Sequence, residues 1–368
     1  MACARIAGHR TLVSTMNDLS GIRYLFDTPP APGELREVVP GVRWLRVPLP
    51  FALDHINLWV LDDGPGVAIV DCGIGDRATR DLWTQVFEGP LKGRPVTRLI
   101  VTHFHPDHIG NAAWLCDRFG VLMHISQAEY LMAHATADNA AGYSDEATLD
   151  FFRQHGLDDS RREALLKARG GGYQRLVPEL PTHYHRIGQG DQLRLGESAW
   201  QVIDGHGHSP EHAALHRMAD RVLISGDMVL PRISTNVSVH ATQPDSDPLG
   251  DFLGSLERYR ALDPDTLVLP SHGLPFRGLH ARIDALRAHH DERLAELVAV
   301  CDEPRLAAEV MTTLFRRPLD GYQIWFAMGE TLAHLNRLVR QGRLACDRGA
   351  DGCLRYRQPV RPSSPSVD

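Results

Sequence analysis

Between Leu99 and Gly110 the chain reads Leu-Ile-Val-Thr-His-Phe-His-Pro-Asp-His-Ile-Gly, an apolar run that delivers His103, His105, Asp107 and His108. Neutral imidazole and carboxylate are preferred ligands of zinc and similar divalent ions. Alternation along an extended loop lets His103 and His105 face one position, and Asp107 with His108 a second. Pro106 stiffens the turn between the two pairs. A His-rich surface loop with no chemistry is the bland alternative, and the rest of the chain weighs against it. His208 lies in Gly207-His-Ser-Pro-Glu-His212, Asp227 ends the apolar run Val222-Leu-Ile-Ser-Gly, and His272 follows Thr266-Leu-Val-Leu-Pro-Ser.

His103-x-His105-x-Asp107-His108 resembles the metal signature of the metallo-β-lactamase superfamily. The three downstream stretches match that family's further donors in order, over roughly residues 40 to 278. The resemblance implies an α+β fold, a four-layer αβ/βα sandwich with its metal site at the edge of two packed sheets. It assigns His103, His105 and His208 to a first metal ion, Asp107, His108 and His272 to a second, and Asp227 to a bridge between them. Asp107 and Asp227 become the candidate catalytic carboxylates. Two divalent ions are implied as cofactors, zinc foremost, with iron or manganese as the other choices. Asp71, where family members carry an Asp, is the candidate partner that orients the metal loop; capping the next turn is its ordinary role.

Two such ions about 3.5–4 Å apart can share a hydroxide and clamp an oxygen of the reacting group. The expected reaction is therefore hydrolysis through a metal-bound hydroxide. No Gly-x-Ser-x-Gly elbow is present. A bridging Asp227 resembles glyoxalase II-type thioesterases, lactonases and nucleases of the superfamily, and is unlike true β-lactamases. A thioester or other acyl ester is the leading substrate class. Lactone hydrolysis, cleavage of RNA and a mononuclear-iron persulfide dioxygenase stay open as alternatives. The full donor set favours two metals over a single iron. His105 stands where flavin-linked oxygen reductases of the family place Glu.

These donors need strands to hold them. Val42–Pro50, Ile56–Leu61 and Val67–Asp71 read as strands, the last two as a hairpin around Asp62-Asp-Gly-Pro-Gly66. His55 and Asn57 open the second strand, where a substrate-facing loop and an ordinary turn are both admissible. A helix is expected over 77–88, strands over 98–102 and 121–125, and a helix over 110–119. Residues 127–191 follow as a long insertion with helical runs at 127–137, 145–155 and 161–168 and a Gly170-Gly-Gly172 hinge. A segment of this length at the mouth of a site reads as a lid that encloses substrate. Strands over 192–195, 200–204, 213–216, 221–225 and 266–269 and a helix over 251–262 complete the core.

The expected organisation is an N-terminal arm over 1–37, a hydrolase domain over 38–278, a C-terminal domain over 279–358, and a disordered Pro/Ser tail over 359–368. Within the C-terminal part, a long helix over 279–300 precedes helices over 305–315 and 325–341 and a hairpin about Asp351-Gly352. Helix, helix and hairpin resemble the small winged-helix module that follows the hydrolase core in several superfamily members.

The formal net charge of −7 opposes nucleic-acid binding through a global positive field. Cys3, Cys72, Cys116, Cys301, Cys346 and Cys353 form no C-x-x-C pair, and their scatter suits a reducing compartment. No apolar leader or membrane span is read. A cytoplasmic enzyme is expected, with a small-molecule acyl substrate as partner and neither membrane nor nucleic acid; a homodimer is compatible with the sequence.

Overall fold

The computed structural model describes residues 21–359. Residues 1–20 of the expected arm and 360–368 of the expected tail lie outside the described residues. Two seven-stranded sheets form the centre of the molecule. The first runs, edge to edge, Arg36–Val39, Val42–Pro48, His55–Asp63, Gly66–Val70, Val96–Ile100, Met123–Ile125, Tyr184–Arg186. Its first four strands pair antiparallel and the rest parallel. The second runs Arg23–Tyr24, Phe276–Arg277, Leu267–Pro270, Val222–Gly226, His212–Arg217, Ser198–Gly205, Gln192–Leu195.

Strand His55–Asp63 shows why the layers form. Side chains on a strand alternate between faces. Trp59 and Leu61 pack between the sheets against Trp200, Val202 and Leu215. Ile56, Leu58 and Val60 instead point outward, into a core shared with Trp83 of helix Arg77–Glu88 and Leu115 of helix Ala112–Phe119. The second sheet is covered in the same way by helices Pro248–Arg260 and Leu279–Val300, through Phe252, Leu256, Ile283 and Leu286. Both faces of both sheets are thereby buried, giving a helix–sheet–sheet–helix order.

Beyond Pro304 come helices Ala307–Leu314 and Gly321–Arg340 and a three-stranded antiparallel sheet of Arg305–Leu306, Leu354–Arg357 and Ala345–Arg348. These do not stand apart. Met328, Leu332 and Leu335 of the long C-terminal helix share one core with Phe252 and Ile283.

Two expectations change. The described part of the arm is not loose: Arg23–Tyr24 pairs with Phe276–Arg277 as an edge strand, and Phe26 packs on Trp44. Nor is 127–191 all lid. Tyr184–Arg186 extends the first sheet, and helix Gln127–Ala137 packs beneath the ligand loops described below. The helical pattern alone carries no sign of what a helix packs against, so the insertion read as one unit.

Candidate metal centre

Parallel strand Val96–Ile100 ends inside the molecule, and Thr102–His108 turns across the strand ends. Its neighbour Gly66–Val70 ends at Asp71, a non-glycine residue at φ +60°. Left-handed backbone costs such a residue about 1–2 kcal/mol. Buried hydrogen bonds offset it. Asp71 Oδ1 accepts from the Thr102 amide at 2.8 Å, and Oδ2 accepts from His108 Nδ1 at 2.8 Å. The second sheet adds His208 between two strands, Asp227 just past Val222–Gly226, and His272 just past Leu267–Pro270. Gly226, at φ +52°, leaves room for the His212 ring where a Cβ would sit.

All seven donors meet in two adjoining sets, His103, His105, His208 and Asp227 in one, Asp107, His108 and His272 in the other, each within 4.8 Å. His103 Nε2 lies 2.9 Å from His105 Nδ1 and 3.2 Å from His208 Nε2. Asp107 Oδ2 lies 3.5 Å from His272 Nε2. Asp227 reaches both sets: Oδ2 is 3.4 Å from His208 Nε2, while Oδ1 is 3.4 Å from His272 Nε2 and 3.5 Å from His108 Nε2.

The arrangement fits cations. Four imidazoles have Nδ1 engaged on the outside, which turns a bare Nε2 inward. His103 Nδ1 meets Thr102 Oγ1 at 3.0 Å, His108 Nδ1 meets Asp71, His208 Nδ1 donates to the Asn236 carbonyl at 2.7 Å, and His272 Nδ1 donates to the His55 carbonyl at 2.7 Å. His108 Nε2 and Asp227 Oδ1 are buried with no hydrogen-bond partner, an expensive state that a cation relieves. Burial, then the neighbouring imidazoles, hold His103 well below the usual histidine range, so it is a neutral donor. At His108 and His272 burial is outweighed by the carboxylates around them, Asp227 and Asp107 in both cases and Asp71 for His108, which hold both imidazoles above that range. This set therefore draws positive charge.

The sequence pattern of the metallo-beta-lactamase superfamily matches residues 52–272, and that of the metallo-beta-lactamase-like C-terminal domain matches 294–359. The chain belongs to the metallo-β-lactamase superfamily. A beta-lactamase domain protein from Burkholderia ambifaria has a solved structure similar to this chain. It shares 50% identity and superposes at a TM-score of 0.86, over 93% of this chain and 99% of that one. Similar too is a probable metallo-hydrolase, YqjP, of Bacillus subtilis, 26% identical over 80% of this chain and 91% of its own. A hydroxyacylglutathione hydrolase of Xylella fastidiosa is 27% identical over 61% of this chain and 62% of its own. Membership agrees with the metal-dependent hydrolase expected from the sequence.

Within this superfamily fold, further residues support the donors, and one of them, Glu129, escaped sequence reading. Glu129, fully buried, accepts from the Phe104 amide at 3.0 Å, from Ser209 Oγ at 2.6 Å and from the Glu211 amide at 2.6 Å. It ties the loop of His103 and His105 to the loop of His208. Asn57 faces no substrate: its amide donates to the Pro270 and Gly273 carbonyls at 2.8 and 3.0 Å, joining the two sheets. His55 holds His272 through its carbonyl and accepts from the Gly273 amide at 2.8 Å. Tyr173, within the insertion, is buried and donates to the Phe104 carbonyl at 2.6 Å.

The centre opens into a cavity of about 760 Å³. His105, Asp107, His208, Asp227 and His272 form its floor. Leu49 to Asp54 form one wall, and Tyr322, Gln323, Phe326, Ala327 and Glu330 of the C-terminal helix form another. Phe51 and Tyr322 stack across it, ring centroids 5.8 Å apart. Among the described residues of the insertion, Ala168, Arg175 and Leu176 reach the cavity.

Proposed function

We propose that the protein is a dinuclear metal hydrolase of a thioester or other acyl ester, with an apolar acyl group lying along the C-terminal helix. The observation that carries the two-ion reading is Asp227, whose two oxygens face the two donor sets. His103, His105 and His208 would hold the first ion and Asp107, His108 and His272 the second, with the Asp227 carboxylate reaching both sets. Zinc suits the His/Asp donors, and iron or manganese is the substitute. When bound, such ions polarise a carbonyl oxygen and lower the pKa of water.

The chain does the rest. Asp107, the most open carboxylate of the set at 19% side-chain exposure, faces the cavity and can take a proton from an attacking water. Asp227, burial outweighed by His272 and His108, is held well below the usual carboxylate range and stays ionised. Leu49, Phe51, Leu230, Ile233, Phe315 and Phe326 present apolar surface to the same cavity as the donors. Likeness to a hydroxyacylglutathione hydrolase supports thioester chemistry.

Helix, helix and small sheet in the C-terminal part keep the winged-helix-like reading as part of this proposal. Its role is to wall the channel, since its longer helix buries Met328, Leu332 and Leu335 and lines the cavity with Tyr322 and Phe326. A cytoplasmic site of action suits the cysteines, five of which are free among the described residues. No described helix is long and apolar enough to cross a membrane.

The test is hydrolysis of a panel of thioester, lactone, phosphodiester and persulfide substrates by the metal-loaded protein. Turnover of acyl thioesters well above the others is expected. Persulfide oxidation with iron and no hydrolysis would overturn the reading.

A further inference from the structure

Residues 234–239 run between the metal centre and the C-terminal helix Gly321–Arg340, and touch both. On one side, Thr235 Oγ donates to the Asp227 carbonyl, and the Asn236 carbonyl accepts from His208 Nδ1 at 2.7 Å. On the other, the Val239 amide donates to the Gly329 carbonyl at 3.2 Å, and Asn236 Nδ2 donates to Glu330 Oε2 at 3.1 Å. Ser238 Oγ donates to Asn236 Oδ1 at 2.8 Å, so both ends of that amide are held. Val237 and Val239 are buried in the core that contains Ala327 and Met328. Gly329 permits the close approach: a Cβ there would lie 2.5 Å from Ser238 Oγ and 2.7 Å from Ser238 Cβ.

We propose that this strap couples the C-terminal domain to the metal centre, with Glu330 as a positioning residue that fixes His208 through Asn236. The partner of a metal-binding imidazole sets its ring orientation, and loss of such a partner costs affinity. Here that partner is a backbone carbonyl on a loop, and what holds the loop is a carboxylate from the other domain. The metal site is then complete only with the C-terminal helix in place, although all seven donors lie before residue 294, where the C-terminal match begins.

The inference rests on the metal-binding reading, and the test separates the two. Full-length wild type, Glu330→Ala, Glu330→Gln and Asn236→Ala are stripped of metal and titrated with cobalt(II) against a competing chelator, and the cobalt absorption spectrum is recorded. Glu330→Ala and Asn236→Ala should each weaken the set containing His208 by about 10- to 100-fold and change its spectrum. The pair combined should be no worse than either alone. Glu330→Gln keeps an oxygen for Asn236 Nδ2 and should restore wild-type affinity and spectrum. Circular dichroism of the metal-free proteins should be unchanged. Asn236→Ala, at a half-buried loop position, serves if the helix substitutions unfold the chain. Wild-type cobalt affinity in Glu330→Ala and Asn236→Ala would overturn the coupling while leaving the metal reading intact. A wild type that binds no cobalt would overturn both.

Discussion

Asp71 is the residue on which the second donor set leans. Its carboxylate accepts from His108 Nδ1, the Thr102 amide and Thr102 Oγ, all buried, in a backbone conformation that favours glycine. Asp71→Gly keeps that backbone and removes only the acceptor. It should weaken the set of Asp107, His108 and His272 for zinc by about 10- to 100-fold, and more than the other set, which Asp71 reaches only through Thr102, as read by isothermal titration. Equal loss at both sets would show a general collapse instead. Glu330 makes a pH prediction. Burial pushes its carboxyl up to about 7, against the pull of the Asn236 hydrogen bond and the Arg293 charge. A carboxyl raised above its ordinary value of 4.5 binds its proton more tightly folded than unfolded. Its contribution to stability is therefore full at low pH and lost as pH rises through about 7. Denaturant titration of the metal-free protein should show wild type losing stability relative to Glu330→Gln between pH 5 and 8, on the order of 2 kcal/mol given the opening onto the cavity. A flat difference would contradict the shift. The seven clustered donors were legible because their chemistry is carried by residue type and local spacing. Asn236 was not, because it acts through a carbonyl that every residue possesses. Glu129 was not, because its partner Ser209 lies 80 residues away.

At the scale of elements, the C-terminal helix has two duties. Its inner face fills the core, and its first turns present Tyr322 and Phe326 to the cavity. The stack of Phe51 on Tyr322 closes the wall over the donors. Phe326→Ala and Tyr322→Ala should raise KM for long-chain acyl thioesters by about tenfold, the effect of roughly 1.4 kcal/mol of lost contact, and leave acetyl thioesters nearly unchanged. Equal effects on short and long chains would place the acyl group elsewhere. Helices 77–88, 127–137 and 279–300 were readable to the residue because their apolar spacing and flanking breaks are local. Short strands Arg23–Tyr24, Phe276–Arg277 and Tyr184–Arg186 were not, because their strand character comes from the neighbours they join.

For the molecule as a whole, the C-terminal domain is fused to the hydrolase core. Arg337 pairs with Asp247 at 2.8 Å, and the helix that carries it is buried along one face. With a net charge of −7, RNA or DNA binding should be no tighter than about micromolar at physiological salt, by fluorescence anisotropy. Nanomolar binding abolished by Arg337→Ala with Arg340→Ala would promote the nuclease alternative. Four-layer architecture followed from the family resemblance that the motifs carry, whereas the shared core of the two domains depends on contacts that no local pattern encodes. Central to the proposed function are two ions held by seven donors. Elemental analysis of the purified, active protein measures this directly, together with Asp227→Ala. Two equivalents of zinc, iron or manganese are predicted, falling to one or fewer in Asp227→Ala with most turnover lost. A reproducible single equivalent at full activity, or two equivalents retained in Asp227→Ala at wild-type rate, would contradict it.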